Sequence, residues 1–345
     1  MPSHKIIHIP GDGIGPEVSD AVLAILEAAR APVEFVRRRA GQAALEEGEG
    51  QLLPDDTVEA IRQHHVALKG PCTTPVGGGF SSVNVALRKR LNLYAAVRPV
   101  RSLAGVQTRF ENVDLVVIRE NTEGLYSGNE NQITDGVVVS MKVATREACR
   151  RIAKWAFRYA THRRRRRVSV LHKANIMKMT DGMLLEEARR VHEFDYPNIE
   201  YETVIIDAAC MRLVRDPTQF DIILCENLYG DIISDLCAGL VGGLGVTPGA
   251  NIGDEDAVFE AVHGSAPDIA GQNLANPLAL LMSAAMMLNH LGETRHCDAS
   301  RESARLVRRA YDAALADGCK TRDLGGDLGT REFAQAVIDR LGESS

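Results

Sequence analysis

The chain of 345 residues lacks the marks of several protein classes. Its seven cysteines form no Cys-x-x-Cys pair, and their odd number is typical of reduced thiols in a cytoplasm, so we expect no disulfides. Its most apolar window, residues 277–288, is shorter than the roughly 20 residues that cross a bilayer. The chain starts directly as a strand pattern, without the charged and apolar leader of secreted proteins. These absences predict a cytoplasmic protein with no membrane partner.

A strong excess of one charge is also missing. The formal net charge of -6 gives no general attraction to nucleic acid. The one basic patch is residues 163–167, five consecutive arginines with no interleaved aromatic side chains on which bases could stack. We interpret this patch as a solvated turn between a helix and a strand, and expect no nucleic acid partner.

What is present is an alternation of strand-like and helix-like segments, which predicts an α/β fold. Residues 5–9 read as a strand, 11–15 as a turn and 16–30 as a helix whose apolar face carries Val18, Val22, Ile25, Leu26 and Ala29. Residues 146–162 read as a second helix. Further strands are predicted at residues 66–69, 115–118, 137–140, 168–171, 204–206 and 222–224. The length allows two domains, with the glycine-rich residues 239–253 as a candidate crossing between them.

Two aspartates, Asp231 and Asp235, carry the densest chemical signal. If their segment is helical, the four-residue spacing places both carboxylates on one face, where like charges repel by a few tenths of a kcal/mol. A divalent cation reverses that cost, and hard oxygen ligands suit Mg²⁺ or Mn²⁺. A third acid, Asp207, follows the apolar residues 204–206. The spacing alone fits two solvated surface acids equally well.

The glycine-rich segments indicate contacts with an anionic ligand. Residues 11–15 follow a strand and open a helix, but Pro16 stands where a dinucleotide fingerprint needs its third glycine, so a tight turn is the better interpretation. Residues 73–89 combine flexible backbone with small hydroxyls, an amide and an arginine. Arginine binds carboxylates through its guanidinium fork, and Arg88, Arg98 and Arg119 stand at suggestive places, although each by itself fits a surface residue better. With a metal, they suit a small polycarboxylate.

Six motifs in order resemble the isocitrate and 3-isopropylmalate dehydrogenase family, the metal-dependent β-decarboxylating dehydrogenases, along essentially the whole chain. They are Gly-Asp-Gly-Ile-Gly-Pro-Glu (11–17), Gly-Pro-Cys-Thr-Thr-Pro-Val-Gly-Gly-Gly (70–79), Arg-Glu-Asn-Thr-Glu-Gly-Leu-Tyr-Ser-Gly (119–128), His-Lys-Ala-Asn-Ile-Met-Lys (172–178), Asn-Leu-Tyr-Gly-Asp-Ile-Ile-Ser-Asp (227–235) and His-Gly-Ser-Ala-Pro-Asp-Ile-Ala-Gly (263–271). Residues 78–89 and 120–126 are most similar to isocitrate dehydrogenase.

This resemblance implies the two-domain α/β fold of the family, which is not a Rossmann fold. A large domain on the cofactor side comprises residues 1–99 and 251–345, and a small domain comprises residues 100–250. The resemblance also implies a homodimer, in which each active site lies in a cleft between domains and is completed by the neighbouring subunit.

The resemblance further implies oxidation of a 2-hydroxy acid, loss of CO₂ and protonation of the resulting enol. Asp231 and Asp235, with Asp207 of the other subunit, match the metal ligands. Lys173 matches the base that takes the hydroxyl proton, also across the subunit interface, and a nearby dication favours its neutral form. Tyr126 matches the acid that protonates the carbon. The substrate-binding positions are Ser82, Asn84, Arg88, Arg98 and Arg119.

The cofactor is expected to be NAD. Asp268 matches the residue that faces the adenosine ribose, where a carboxylate accepts hydrogen bonds from a 2′-hydroxyl but repels a 2′-phosphate; NADP-using relatives have Lys-Tyr in place of Asp268-Ile269. The remaining expected cofactor positions are Thr74, His263, Gly264, Ala266 and Asn276. Cys72 departs from the larger apolar residue that is common in the family.

The expected activity is therefore NAD-dependent, metal-dependent oxidative decarboxylation of isocitrate to 2-oxoglutarate. Ser82 and Asn84 disfavour 3-isopropylmalate, because unpaired buried polar groups cost about 1–3 kcal/mol. Enzymes that act on homoisocitrate, 3-isopropylmalate or a simpler malate remain alternatives. A non-catalytic regulatory subunit is a second alternative, which the retained Tyr126 and Lys173 disfavour.

Overall fold

The computed structural model describes residues 3–46, 48, 50–74 and 82–342. Its strands, numbered in chain order, are β1 His4–Ile9, β2 Val33–Arg37, β3 Val66–Lys69, β4 Ala95–Arg101, β5 Asp114–Glu120, β6 Glu130–Thr134, β7 Val137–Ser140, β8 Arg167–His172, β9 Glu200–Ile205, β10 Ile222–Cys225, β11 Pro248–Ile252 and β12 Ala257–Ala261. Its helices are α1 Gly15–Ala28, α2 Gln42–Glu46, α3 Asp55–His64, α4 Val83–Arg90, α5 Arg146–Arg163, α6 Thr180–Asp195, α7 Ile206–Arg215, α8 Asn227–Leu240, α9 Leu278–Thr294, α10 Asp298–Ala316 and α11 Thr330–Leu341.

The chain forms two compact units. The first comprises residues 1–92, 102–109 and 241–345, and the second comprises residues 93–101 and 110–240. These bounds differ from the predicted 1–99, 100–250 and 251–345. Strand β4 belongs to the second unit because it pairs antiparallel with β5 over seven residues, from Ala95↔Glu120 to Arg101↔Asp114. The glycine-rich residues 239–253 do contain the junction, between Leu240 and Val241.

The first unit is a five-stranded sheet with helices around it. Its strand order is β2-β1-β3-β12-β11, parallel except for β11, which is antiparallel to β12. Helix α9 contacts β11 and β12 and is almost entirely buried, so the apolar residues 277–288 form a core helix. Helix α1 begins with Pro16 in its first turn, and its predicted apolar face is buried. The predicted helix at residues 16–30 is thus confirmed to within two residues.

The loops that follow β1, β3 and β12 leave the same edge of this sheet. Because these three strands are parallel, their carboxyl ends lie side by side, with His8 opposite Leu68 and Lys69 opposite Glu260. The loops are residues 10–14, 70–74 and those after Ala261. They contain three of the six family-like motifs.

The second unit is a sheet in the order β4-β5-β10-β8-β9, in which only β4 is antiparallel. The segments that follow β5, β10, β8 and β9 carry Tyr126, Asp231, Lys173 and Asp207, respectively. The parallel fold therefore brings the acids and the proton-transfer candidates of this unit to one edge of the sheet. This placement explains why each chemical motif follows an apolar run in the sequence.

Strand β7, predicted at residues 137–140, does not join this sheet. It pairs with β6 in a separate two-stranded hairpin whose residues are all exposed. Apolar β-branched residues favour a strand on either a core face or an uncovered one, so their periodicity cannot tell the two apart.

The arginine run lies at the end of α5, in the following turn and at the start of β8, as predicted. It is less solvated than expected. Arg165 bonds the carboxylates of Asp114 and Asp221 at 2.6 and 2.9 Å, and Arg167 bonds Glu200 at 2.9 Å. These ion pairs occupy two of the five guanidinium groups, which weakens a nucleic acid interpretation further.

All seven cysteines are free, which confirms the predicted lack of disulfides. Among the residues that the structure describes, no helix has the length and apolar character to cross a membrane.

Candidate active site

A buried arginine organises the acidic part of the site. Arg119, near the end of β5, is 2% exposed. Its Nε and one terminal nitrogen donate to the Asn227 side-chain oxygen at 2.9 and 2.6 Å, and its other terminal nitrogen donates to the Asp231 carboxylate. A buried guanidinium is stable only with such partners. The position of Arg119 thereby fixes the first turns of α8.

Tyr126 completes this cluster. Its hydroxyl donates to the second oxygen of Asp231, and the Arg119 guanidinium carbon lies 4.9 Å from the centre of its ring. Burial raises the pKa of Tyr126, and its hydrogen bond to Asp231 raises it further. The hydroxyl therefore keeps its proton at neutral pH, as an acid catalyst requires. The structure thus brings Tyr126, Arg119 and Asp231 into direct contact.

Asp231 and Asp235 lie one turn apart on α8, so the segment is helical as the spacing required. Burial raises the pKa of Asp235, and the neighbouring charge of Asp231 adds to this effect, while Arg98 and Arg119 act in the opposite direction. The two acids therefore form a like-charged pair that the arginines compensate only in part. Such an oxygen donor pair fits a hard divalent cation.

Lys173 and Asp207 form a separate pair. Lys173 follows β8, Asp207 lies in the first turn of α7, and the Lys173 ammonium donates to the Asp207 carboxylate. This hydrogen bond lowers the pKa of Asp207, whose side chain is 68% exposed. Within the described part of one chain, no three histidine, cysteine or acidic side chains are grouped closely enough to hold a metal ion. One chain thus offers two of the three expected metal ligands together.

The expected substrate residues divide between the units. Ser82 immediately precedes α4, and Asn84 and Arg88 lie one turn apart within it, in the first unit. Arg88 is 9% exposed and lies 3.6 Å from the Glu260 carboxylate. Arg98 on β4 is 4% exposed and belongs with Arg119 to the second unit. The glycines at 77–79 lie outside the described residues.

The expected cofactor segment follows β12 in the first unit. Burial lowers the pKa of His263, whose Nδ1 lies 3.0 Å from the Gly264 carbonyl oxygen. Its Nε2 is buried and has no hydrogen-bond partner among the described residues. Asp268 lies in a short 3-10 turn, Pro267–Ile269, and is exposed. An unpartnered ring nitrogen and an exposed carboxylate are groups that a ribose or a nicotinamide amide can bind.

Ala266 holds this segment in an uncommon conformation. Its φ of 36° lies in the left-handed region, which costs a residue with a Cβ of the order of 1 kcal/mol or more. The neighbouring residues enforce it. Ser265 is fixed by a 2.6 Å hydrogen bond between its hydroxyl and that of Thr73, and its carbonyl accepts from Ile14 at 2.8 Å.

The glycine loop at residues 11–15 is a support for this segment, and the tight-turn interpretation is confirmed. A Cβ on Gly13 would lie 2.0 Å from the Ser265 carbonyl oxygen, and one on Gly11 would lie 2.0 Å from that of Pro71. Between them, the Asp12 carboxylate accepts three backbone N–H bonds, from Gln42, Ala43 and Thr73. The glycines are required for this close backbone approach.

Thr74 and Asn276, the other two expected cofactor positions, already make hydrogen bonds within the first unit. The Thr74 hydroxyl accepts from the Val83 backbone at 3.3 Å. The Asn276 side chain donates to Asp323 at 3.0 Å and accepts from the Leu278 backbone at 2.9 Å. The roles of both residues toward a cofactor stay predictions.

Sequence reasoning missed a buried ion network beside Arg88. The Glu260 carboxylate bonds Lys69 at 2.8 Å and Asn251 at 2.7 Å, and Lys69 is 1% exposed. Neither Lys69 nor Glu260 stands out, because each is a single charge in an apolar strand. Their pairing in register across β3 and β12 is the signal, and it requires the strand order.

Comparisons with known proteins agree with the motif order. The family model described as isocitrate/isopropylmalate dehydrogenase matches residues 5–337. A mitochondrial isocitrate dehydrogenase [NAD] catalytic subunit 5 of Arabidopsis thaliana is 51% identical over 334 residues, 96% of this chain and 87% of the relative. A chloroplastic 3-isopropylmalate dehydrogenase of Solanum tuberosum is 54% identical over 283 residues, 82% of this chain and 79% of the relative. The crystal structure of isocitrate dehydrogenase from Methylococcus capsulatus superposes with a TM-score of 0.91 at 49% identity, covering 98% of this chain and 99% of that one.

The close approach of α8 to β5 generates a prediction. A Cβ on Gly230 would lie 2.6 Å from the Cβ and Cγ of Arg119, and these atoms near the backbone cannot swing away. Gly230→Ala should therefore lower the free energy of unfolding by about 1–3 kcal/mol. Gly239→Ala, on the same helix with nothing within 4 Å of its Cβ, should instead stabilise by about 0.5–1 kcal/mol. Urea unfolding curves measure both; equal effects of the two substitutions would contradict the described packing.

Proposed function

We propose that the chain, which belongs to the isocitrate/isopropylmalate dehydrogenase family, catalyses the NAD-dependent oxidative decarboxylation of isocitrate to 2-oxoglutarate and CO₂. One observation carries the proposal: Asp231 is held between a buried arginine and a protonated tyrosine, beside a second acid on the same helix face. The names of the Arabidopsis and Methylococcus relatives support isocitrate as the substrate.

The groups present fit a divalent ion and NAD. Asp231 and Asp235 supply hard oxygen donors, and Asp207 of a second copy would complete the set, for Mg²⁺ or Mn²⁺. Residues 263–269 supply the orphaned His263 nitrogen and the exposed Asp268 carboxylate for the dinucleotide. When bound, the ion supplies positive charge beside the substrate hydroxyl and its neighbouring carboxylate, and NAD accepts the hydride.

The residues of the chain then handle the protons and hold the substrate. Lys173 takes the proton of the substrate hydroxyl group while the oxygen of that group becomes a carbonyl oxygen. The bond to the β-carboxylate breaks, CO₂ leaves, and the electron pair of the bond forms an enolate with the adjacent carbonyl, to whose oxygen Lys173 can return its proton. Tyr126 returns a proton to that carbon, for which its raised pKa keeps it protonated. Arg88, Arg98 and Arg119 hold the carboxylates and keep them oriented throughout.

Ser82 and Asn84 support isocitrate over 3-isopropylmalate. The buried Oδ1 of Asn84 has no hydrogen-bond partner among the described residues, and the backbone of residue 82 turns directly into α4. Polar groups at these positions can bind a third carboxylate, whereas an isopropyl group would leave them unpaired at a cost of about 1–3 kcal/mol. Because the chain is also similar to the 3-isopropylmalate dehydrogenase of Solanum tuberosum, 3-isopropylmalate remains an alternative substrate, and homoisocitrate is another.

We further propose that the active unit is a homodimer with shared sites. Every large exposed hydrophobic side chain in the described residues lies in the second unit, including Ile133 and Val138 on the hairpin, Ile176 beside Lys173, and Met211 and Ile232 on α7 and α8. So many apolar groups on one unit are typical of an interaction surface. A second copy is the occupant that also supplies what one chain lacks, the third acid for the Asp231–Asp235 pair.

A regulatory subunit remains the alternative of a different class. Retention of the proton-transfer pair Tyr126 and Lys173 supports catalysis by this chain itself. The free thiols are compatible with the proposed cytoplasmic location.

The proposed activity predicts a definite substrate pattern. NADH formation should be strong with isocitrate, NAD and Mg²⁺ or Mn²⁺ and abolished by EDTA. It should be at least about 100-fold weaker with 3-isopropylmalate, whose isopropyl group leaves polar groups unpaired, and weaker with homoisocitrate, whose third carboxylate lies one methylene further out. The rates are measured by absorbance on the purified homomeric protein. Equal turnover of 3-isopropylmalate would overturn the substrate assignment, and no turnover of any of the three would favour a regulatory subunit.

Cofactor choice should depend on one carboxylate. The double substitution Asp268→Lys with Ile269→Tyr should shift the ratio of kcat/KM for NAD to that for NADP by about 100-fold or more, because like-charge repulsion of a phosphate costs several kcal/mol. Asp268→Asn removes the repulsion without adding attraction, so its ratio should fall between those of the wild type and the double variant. A double variant that retains the wild-type ratio would place the ribose elsewhere.

Shared sites predict complementation between inactive chains. Tyr126→Phe and Lys173→Met should each abolish activity in a homodimer. In a dimer with one chain of each kind, one site carries both lesions and the other carries neither, so about half of the wild-type activity should return. Two affinity tags isolate the mixed dimer. If Tyr126 and Lys173 of the same chain served one site, the mixed dimer would stay inactive.

A further inference from the structure

Lys142 is a largely enclosed cation that no step of the proposed mechanism uses. It follows β7, at the base of the exposed hairpin, and its side chain is 10% exposed. Its Nζ lies 2.6 Å from Asp181 Oδ1 and 3.6 Å from Glu226 Oε2, and 4.6 Å from the centre of the Tyr229 ring. Two carboxylates and an aromatic face compensate the cost of burying this ammonium. Three separate segments of the second unit therefore meet at one charge.

The first of these carboxylates holds the backbone of Lys173. Asp181, in the first turn of α6, is 2% exposed, and its Oδ2 accepts the Lys173 backbone N–H at 2.7 Å. Its Oδ1 is the atom bonded to Lys142. Because one carboxylate joins the two, the position of the Lys142 ammonium sets the position of the Lys173 main chain.

The second carboxylate holds the start of α8. Glu226 lies immediately before this helix, and its Oε1 accepts the Tyr229 backbone N–H at 2.8 Å. The Glu226 carbonyl also accepts from Gly230 at 2.9 Å. The next residue along the helix is Asp231. The other carboxylate oxygen of Glu226, Oε2, faces Lys142 at a distance that allows ionic attraction but no hydrogen bond.

A cavity of about 30 Å³ adjoins this cluster and is lined by Lys142, Asp181 and Glu226 among others. The Lys142→Arg variant keeps the positive charge beside this space, which makes it the conservative replacement.

We propose that Lys142 is a positioning residue that ties two catalytic elements together, the Lys173 main chain through Asp181 and the first turn of α8 through Glu226. This inference rests on the proposed function. Since Lys173 would act in the site of the other copy while Asp231 acts in the site of its own, Lys142 couples the geometry of the two sites of a dimer. Loss of its charge should impair both sites at once.

The test compares Lys142→Met, Lys142→Arg and the control Lys154→Met, which removes an exposed lysine of α5. Lys142→Met should lower kcat by about 10- to 100-fold, the range for groups that orient catalytic side chains. The KM for NAD should change by less than about twofold, because the expected cofactor residues belong to the first unit. Lys142→Arg should restore most of kcat, and Lys154→Met should resemble the wild type.

Amide hydrogen exchange, measured without substrate, distinguishes a local loss of positioning from a general loss of folding. In Lys142→Met, peptides that cover Lys173 and Tyr229 should exchange at least about tenfold faster, while peptides from the first unit stay unchanged. Glu226→Gln is a second variant, in which the side chain keeps nearly the same size but loses its charge. In it, the backbone N–H of Tyr229 should exchange faster, whereas that of Lys173 should not. If Lys142→Met leaves exchange at Lys173 unchanged, or if Lys142→Arg restores neither exchange nor kcat, the inference is wrong. Because exchange needs no turnover, it judges Lys142 even if isocitrate proves not to be the substrate.

Discussion

The contact between the Arg119 guanidinium and the Asp231 carboxylate is the interaction on which the acidic site depends. Arg119 is buried, so its charge requires acceptors, and both of its acceptors lie in the first turns of α8. That requirement draws the helix against the end of β5, and Gly230 permits the approach because it has no side chain. The same contact orients Asp231 toward the Tyr126 hydroxyl. One buried charge thus sets the geometry of the proposed metal ligand Asp231 and of the proposed proton donor Tyr126.

Much of this arrangement could be predicted because each chemical residue follows an apolar run. The apolar run predicts a strand, and the motif that follows it identifies a candidate site residue. Parallel strands then bring such residues to one edge of the sheet. The predicted strands at residues 66–69 and 222–224 lie at β3 and β10, and Asp231 and Asp235 lie in a helix, the condition under which their spacing places them on one face. The periodicity of apolar residues identifies strands and helices because it depends only on residues that are close in sequence.

The supporting charges could not be predicted in this way. Lys142, Asp181 and Glu226 are separated by about 40 residues each along the chain, and none belongs to a repeated or paired pattern. The same holds for Lys69 and Glu260, which meet only because β3 and β12 are neighbours in register. A single buried charge in a sequence is identical to a surface charge until its partner is known. The strand at residues 137–140 is confirmed as β7, but its place in an exposed hairpin outside the sheet depends on its partner β6, which apolar periodicity does not identify.

In the proposed dimer, the pairing of Lys173 with Asp207 links the base of one chain to the metal site of the other. A carboxylate in contact with an ammonium favours its charged form, whereas a base must be neutral to accept a proton. Asp207 cannot give its full charge both to the Lys173 ammonium and to a cation. When a second copy brings its own Asp231 and Asp235 close, the Asp207 oxygens would have a competing use, and their hydrogen bond with Lys173 would be weakened. Assembly and activation of the base would then be one event.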